Sequence, residues 1–173
     1  MNKRIAFVCA QNGKRMLSAF FGNALCIWRK YFQAMYHSSL LLNGLQVLVV
    51  DSDPDSRDLL TTLFEMYGIE TLTATTAAEA LEILKQVKPD LLISEIGLPK
   101  EDGYSLMRKV KALEKARQIQ IRAIALTVYA RKEDCVQALS VGYAKHLSKP
   151  FDINELISMV ASLTGQVQLI PAT

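Results

Sequence analysis

The feature that most constrains the fold is an alternation, repeated five times over residues 45–165, between a short apolar run and a longer segment with apolar residues at helical spacing. The short runs are rich in Val, Ile and Leu, which is typical of strands buried on both faces. Several longer segments begin at a capping residue or end at a glycine, as helices do. The pattern predicts strands over 45–50, 69–74, 90–94, 121–127 and 143–147, each followed by a helix.

Strands that alternate with helices of this length form a parallel sheet with helices on both faces, joined by right-handed crossovers. Five such units predict an α/β fold of the flavodoxin-like type, a (βα)5 three-layer sandwich with strand order 2-1-3-4-5. Ligands of such sheets bind at the carboxyl ends of the strands, near the point where the strand order reverses. We therefore expect functional residues where strands one and three end.

Polar residues stand at the ends of four of the five predicted strands: Asp51 and Asp53, Glu95, Thr127, and Lys149. Clustered carboxylates suit a hard divalent cation such as magnesium, a hydroxyl can hold a phosphoryl oxygen, and an ammonium can neutralise its charge. Taken singly, each residue also has an ordinary explanation as a helix cap, a strand former or a solvated charge. Together, at one edge of one sheet, they predict a phosphoryl-transfer site.

Four strings of this sequence are similar to a known family: LVVDSD, PDLLISEIGLPKEDGYSLM, AIALT and LSKPF. In content and order they resemble the receiver domain of bacterial two-component response regulators, over about 120 residues. The string EDGYSLMRKVKALE especially resembles receivers attached to hybrid histidine kinases. The resemblance implies a stand-alone receiver domain over 44–165, with no effector domain after it and with a histidine kinase or another signalling protein as its partner.

The resemblance also implies roles at the ends of strands one and three. In the family, two adjacent acids and an aspartate hold magnesium, and that aspartate accepts a phosphoryl group from a phosphohistidine. Asp51 matches the first acid, Glu95 occupies the phosphoacceptor position, and Gly97 completes the implied metal ligands. Ser52 replaces the second acid, and Asp53 is the nearest residue that could substitute for it.

Three more roles follow from the resemblance. Thr127 matches the hydroxyl that contacts the phosphate, and Lys149, followed by Pro150, matches the ammonium that does the same. His146 stands at the switch position, where the family usually has an aromatic residue that changes rotamer.

The departures at Ser52 and Glu95 fall on the residues that carry the chemistry. Ser52 removes an anionic ligand, so Mg²⁺ affinity is expected to be weakened, since that ion needs near-ideal octahedral geometry from few carboxylates. The extra methylene of Glu95 moves its carboxylate by about 1 Å, a displacement that costs in-line transfer about 100-fold in rate. A glutamate here can instead contact Lys149 and Thr127 directly, as a phosphoaspartate does.

Three functions remain open from the sequence. The leading prediction is a pseudo-receiver, which is not an enzyme and acts by protein–protein interaction through the surface of residues 131–163. One alternative is a receiver that accepts phosphate from a histidine kinase, with Mg²⁺, on Glu95 or a nearby acid. A remote alternative is a haloacid-dehalogenase-type phosphatase, with Asp51 as nucleophile, Asp53 as acid/base, and Thr127 and Lys149 in the later roles.

Charge divides the chain into two parts. Residues 1–43 contain six basic and no acidic side chains and seven of the thirteen aromatic ones, whereas 44–173 contain 14 basic and 17 acidic side chains. Residues 1–43 are predicted to form a basic extension that packs on the domain or contacts a membrane surface. A membrane span is not expected there, because no run reaches the roughly 18 apolar residues that a span needs. The acidic balance of the second part disfavours nucleic acid as a partner.

The cysteines and the chain end complete the sequence-based expectations. Three cysteines without a CxxC pair form neither a disulfide framework nor a zinc site, so we expect reduced thiols and a cytoplasmic protein. Residues 166–173 are expected to be a short C-terminal tail. A homodimer through the fourth and fifth units is left open.

Overall fold

The structure is a computed structural model that describes residues 42–129 and 131–165. Five strands and five helices alternate along this part of the chain: β1 (Gln46–Val50), α1 (Pro54–Met66), β2 (Glu70–Ala74), α2 (Ala77–Gln86), β3 (Leu91–Ser94), α3 (Gly103–Arg117), β4 (Arg122–Thr127), α4 (Lys132–Val141), β5 (Lys145–Ser148) and α5 (Ile153–Thr164). The predicted tail, and the predicted extension up to residue 41, lie outside the described residues. None of the described helices has the length and apolar character that a membrane span requires.

The five strands are parallel and lie in the order β2-β1-β3-β4-β5, which confirms the predicted flavodoxin-like fold. In the register of the sheet, Val50 pairs with Ser94, and Thr127 at the end of β4 pairs with Ser148. The residues that follow these pairs therefore leave the sheet at the same edge. This register brings the ends of β1, β3, β4 and β5 together.

Two apolar cores lie on the two faces of the sheet. Leu92 and Met107 belong to the core covered by α2, α3 and α4, whereas Phe64 and Leu156 belong to the core covered by α1 and α5. Leu42, which lies within the predicted extension of residues 1–43, is fully buried in the second core. The folded domain therefore includes Leu42.

Four of the five helices start at a side chain that accepts hydrogen bonds from first-turn N–H groups: Asp53, Thr76, Asp102 and Asp152. Such caps satisfy donors that have no partner within the helix. These caps agree with the expectation that several of the helices begin at a capping residue. The cap at Asp53 matters for the site, because it uses a carboxylate that the sequence made a candidate ligand.

β5 begins two residues later than predicted. Gly142 follows α4 with a φ of 113°, a left-handed conformation that favours glycine, and the Tyr143 N–H donates to the Ala138 carbonyl at 3.2 Å. Tyr143 therefore belongs to the turn that closes α4, and the prediction that a strand starts there is wrong. Its ring packs in the core under α3 and α4.

Candidate functional site

Asp51 lies directly after β1 and is almost completely buried. Its N–H donates to the Ala74 carbonyl at 3.1 Å, so the residue extends the pairing of β1 with β2. Its Oδ1 accepts the Asp53 N–H at 2.9 Å, and its Oδ2 lies 2.5 Å from the Lys149 ammonium. The guanidinium of Arg57 donates to the Asp51 carbonyl at 2.6 Å. Both the backbone and the carboxylate of Asp51 are thus fixed by partners within the chain.

The two residues after Asp51 take no part in its ion pair. Ser52 and Asp53 are exposed, and the Asp53 carboxylate accepts the Ser56 N–H at 3.1 Å and the Ser56 hydroxyl at 2.8 Å. The hydrogen bond from the Ser56 hydroxyl, with those from backbone N–H groups, lowers the pKa of Asp53. The carboxylate therefore caps α1. This position argues against Asp53 as a replacement metal ligand and as the acid/base of a phosphatase.

Glu95 follows β3 and is 7% exposed. Its N–H donates to the Val50 carbonyl at 2.8 Å, which holds it beside the end of β1. Its carboxylate turns back onto its own loop, because Oε1 accepts the N–H groups of Ile96 at 2.8 Å and Gly97 at 3.0 Å. Oε2 lies 3.1 Å from the Lys149 ammonium. Both oxygens of the residue at the phosphoacceptor position are therefore already bonded.

Lys149 bridges the carboxylates of Asp51 and Glu95, and only 18% of its side chain is exposed. Burial disfavours the charged ammonium, but the hydrogen bonds and negative charges of Asp51 and Glu95 outweigh that effect, so the pKa of Lys149 is raised. The lysine is therefore charged at neutral pH. One positive charge joins the ends of β1, β3 and β5.

Thr127, Tyr129 and His146 form a separate set of contacts around the end of β4. Thr127 is fully buried, and its hydroxyl oxygen accepts the Tyr129 N–H at 3.2 Å. His146 Nε2 lies 3.0 Å from the Tyr129 carbonyl oxygen, which makes Nε2 the protonated nitrogen, because a carbonyl only accepts. Within the described residues no hydrogen bond joins Glu95 to Thr127. The predicted contact of Glu95 is confirmed for Lys149 and is wrong for Thr127.

The oxygens expected to hold a magnesium ion already have partners within the chain. Each of the four carboxylate oxygens of Asp51 and Glu95 already receives a protein N–H or ammonium donor. Magnesium requires near-octahedral oxygen coordination, and at this site it would compete with the Lys149 ammonium for the two carboxylates. No group of three His, Cys, Asp or Glu side chains in the described ranges is placed to hold a metal ion. The ligand role of Gly97 stays a prediction.

Sequence reasoning missed two residues that border the site. Ser56, whose hydroxyl lies 3.4 Å from the Lys149 ammonium, could have been found from its spacing after Asp53, which is that of a helix cap. Tyr129 gave no such signal. A Cβ built on Gly97 would lie 3.4 Å from the Tyr129 ring and 3.8 Å from Glu95 Oε1, so the ring lies beside the loop that carries Glu95.

Four of the seven large apolar side chains that are exposed in the described residues lie between residues 128 and 139. Val128 is 65% and Val136 is 66% exposed, and Tyr129 and Leu139 are about half exposed. Val136 and Leu139 lie three positions apart on α4 and therefore share one helix face. We call these four residues the α4 patch. It starts at Val128, the residue that follows Thr127.

Comparison with known proteins agrees with the geometry. A family model described as the response regulator receiver domain matches residues 47–161. An uncharacterized 14.6 kDa protein of Leptolyngbya boryana is 44% identical over 119 residues, which are 69% of this chain and 89% of that protein. The receiver domain of Francisella response regulator 1452 is 30% identical, with a TM-score of 0.64 over 72% of this chain and 100% of that domain.

A longer protein contains a region similar to this chain. The DNA-binding transcriptional regulator RpaA of Synechocystis is 29% identical over 126 residues, which are 73% of this chain. The chain spans about half of the length of that regulator, at 52%.

Proposed function

Because the chain belongs to the response regulator receiver family of two-component signalling proteins, we propose that it is a pseudo-receiver. In this proposal the Glu95 carboxylate permanently occupies the Lys149 contact that a phosphoryl group makes in other members. The single observation that carries the proposal is the bridge of Lys149 between Asp51 and Glu95, at 2.5 and 3.1 Å. The domain then acts by protein–protein interaction without cycling through a phosphorylated state, and its function is signalling and not catalysis.

The state of Glu95 disfavours phosphoryl transfer for two reasons. A nucleophilic oxygen must approach phosphorus with a lone pair free and correctly aimed, and misplacement by about 1 Å costs about 100-fold in rate. Oε1 of Glu95 is held by two backbone N–H groups and Oε2 by Lys149. The chain also offers Ser52 where a second acid would bind magnesium, so the charge of an incoming phosphoryl donor lacks its usual cation.

In this proposal only one of the two phosphate-contact positions, Lys149, is occupied by Glu95. Glu95 replaces the phosphoryl group at Lys149, but Thr127 keeps its hydrogen bond to the Tyr129 N–H and is not drawn toward Glu95. Thr127 and His146 each contact the backbone of Tyr129 in the segment after β4, and in this proposal those contacts persist without phosphate. A fixed surface of this kind suits a constitutive partner.

The α4 patch is the surface proposed for that partner, which is a histidine kinase, another cytoplasmic signalling protein or a second copy of this chain. All four apolar side chains of the patch are exposed, and contiguous exposed apolar surface marks interaction sites in soluble proteins. Sedimentation velocity of the wild type and of Val136→Glu distinguishes the last case. Self-association that is lost in Val136→Glu indicates a homodimer through this face. If the wild type and the variant both sediment as monomers, the face is proposed to bind a different protein.

The main test is phosphorylation followed by intact mass. The wild type, Glu95→Asp and the double variant Ser52→Asp/Glu95→Asp are incubated with acetyl phosphate and Mg²⁺. We expect the wild type to remain unmodified and the double variant, which has both acids back, to gain one phosphoryl group. The double variant is the positive control, because its modification shows that the rest of the site is competent. Magnesium-dependent modification of the wild type on Glu95 or a neighbouring acid would contradict the proposal.

A further inference from the structure

Tyr143 carries a hydroxyl group into a largely apolar core, where the buried Ser94 hydroxyl is a polar neighbour. The residue is 3% exposed and packs in the cluster that contains Ala138 and Met107. Burial raises the pKa of its hydroxyl, so the phenol is neutral and able to donate a hydrogen bond at physiological pH. It donates to the carbonyl oxygen of Gly103, at the start of α3, at 2.9 Å.

This hydrogen bond is the first of a continuous series that ends at the ion pair. The Gly103 N–H donates to the Ile96 carbonyl at 2.8 Å, and the Ile96 N–H donates to Glu95 Oε1 at 2.8 Å. The other carboxylate oxygen of Glu95 meets Lys149 at 3.1 Å. The series therefore connects the core at Tyr143 with the site through the loop between β3 and α3.

The loop and the start of α3 approach each other too closely for a side chain at Gly103. A Cβ there would lie 2.7 Å from the Glu95 carbonyl oxygen, 2.8 Å from Ile96 Cα and 3.0 Å from the Tyr143 hydroxyl. The Ser94 hydroxyl donates to the same Glu95 carbonyl at 2.9 Å. The backbone of Glu95 is thus confined by Ser94 and Gly103, and Gly103 is in turn held by Tyr143.

We propose that Tyr143 is a positioning residue for Glu95, whose hydroxyl acts through Gly103 and Ile96 to keep the Glu95 carboxylate against Lys149. The inference rests on the proposed function, since it concerns how the carboxylate that replaces the phosphoryl group is held. Glutamate has one more rotatable bond than aspartate, and fixing it costs side-chain entropy. Because Tyr143 holds the loop between β3 and α3 to the core, the Glu95 carboxylate can adopt fewer positions.

The test measures the reactivity of the Lys149 amine in the full chain. The protein is labelled with an amine-acylating reagent over a range of pH, and the rate at Lys149 is read by peptide mass spectrometry, with the exposed Lys145 as internal reference. The variants are Glu95→Gln, Tyr143→Phe and their combination. Tyr104→Phe is the matched control, because Tyr104 is also a buried tyrosine but lies outside the hydrogen-bond series.

Loss of the Glu95 charge lowers the pKa of Lys149, so Glu95→Gln should speed its labelling. We expect Tyr143→Phe to change the rate in the same direction, by up to about fivefold, the factor that one hydrogen bond of ordinary strength corresponds to. Tyr104→Phe should label as the wild type does. In the Glu95→Gln background Tyr143→Phe should have no further effect, because the carboxylate that it positions no longer carries the charge.

Amide hydrogen exchange gives a second readout of the same series. The N–H groups of Ile96 and Gly103 should exchange faster in Tyr143→Phe, by a similar factor, and at the wild-type rate in Tyr104→Phe. Wild-type labelling of Lys149 in Tyr143→Phe, or an equal increase with and without Glu95, overturns the proposal. Neither readout involves phosphate, so phosphorylation of the wild type would overturn the proposed function and leave this comparison intact.

Discussion

The lysine side of the site (Asp51, Glu95 and Lys149) and the threonine side (Thr127, Tyr129 and His146) lie at the same edge of the sheet but are built differently. On the lysine side three charged groups satisfy one another across three strands. On the threonine side a hydroxyl and an imidazole contact only backbone groups of Tyr129. The Glu95 carboxylate thus bonds to Lys149 but not to Thr127, although both residues lie at the same edge of the sheet.

The largest effect should come from breaking the lysine side. Lys149→Met leaves two nearly buried carboxylates together without a counter-charge, and removing one partner of such a cluster typically costs about 3 kcal/mol or more. We expect a loss of that order in the free energy of unfolding, measured in urea. The control is Lys145→Met at the start of β5, the strand that Lys149 follows, an exposed position where the change should stay within about 0.5 kcal/mol. Equal losses in both variants would show that the bridge does not stabilise the domain.

The pH dependence of stability should show the same bridge. The pKa of Lys149 is raised in the folded state, so its contribution is complete below the ordinary lysine pKa of about 10.4 and is lost as the pH rises through the higher folded value. The wild type should therefore lose stability in alkaline solution by more than Lys149→Met does. Thermal unfolding at a series of alkaline pH values measures this. A constant difference between the two proteins would argue that the ammonium is not held by the carboxylates.

A smaller effect is expected on the threonine side. Thr127→Val removes the oxygen that accepts the Tyr129 N–H, at a cost of about 1 kcal/mol, and keeps the shape of the side chain. Labelling of Lys149 should not change, because no hydrogen bond joins the two sides within the described residues. Thr73→Val, at an exposed strand position, is the control for stability. A change in Lys149 reactivity would show that the two sides are coupled after all.

The smallest effect is expected at Asp53. Asp53→Asn keeps an oxygen that can cap α1 but removes the negative charge that a metal ligand would supply. In the Ser52→Asp/Glu95→Asp background this change should leave phosphorylation by acetyl phosphate unaltered, as read by intact mass. A strong loss of phosphorylation would indicate that the Asp53 charge takes part in metal binding, and would contradict its assignment as a helix cap alone.

The fold and the residues gathered at the site could be predicted from the sequence, because both depend on period and order along the chain. Alternating strand and helix patterns fix the parallel sheet, and a parallel sheet brings the ends of β1, β3, β4 and β5 to one edge. The predicted contact between Glu95 and Lys149 followed from the length of the glutamate side chain at that edge.

The partners of individual polar atoms could not be predicted, because they depend on competition between nearby donors. The Thr127 oxygen is taken by the N–H two residues later, and Asp53 by the start of its own helix, since both donors are local and need no further ordering of the chain. The sequence pattern predicts a strand that starts at Tyr143, but Gly142 adopts a left-handed backbone conformation that places Tyr143 in a turn. Long-range bonds such as that from Tyr143 to Gly103 carry no sequence signal at all.

The proposed function requires that Glu95 already occupies the Lys149 contact that a phosphoryl group would make. The most direct test is the amide NMR spectrum of the wild type and of Ser52→Asp/Glu95→Asp, before and after addition of beryllofluoride and Mg²⁺, a mimic of the phosphoryl group. We expect no change in the wild type at Glu95, Thr127 or Lys149, and clear shifts at all three positions in the double variant. Shifts of similar size in the wild type would contradict the claim, because they would show that the site remains open to a phosphoryl group.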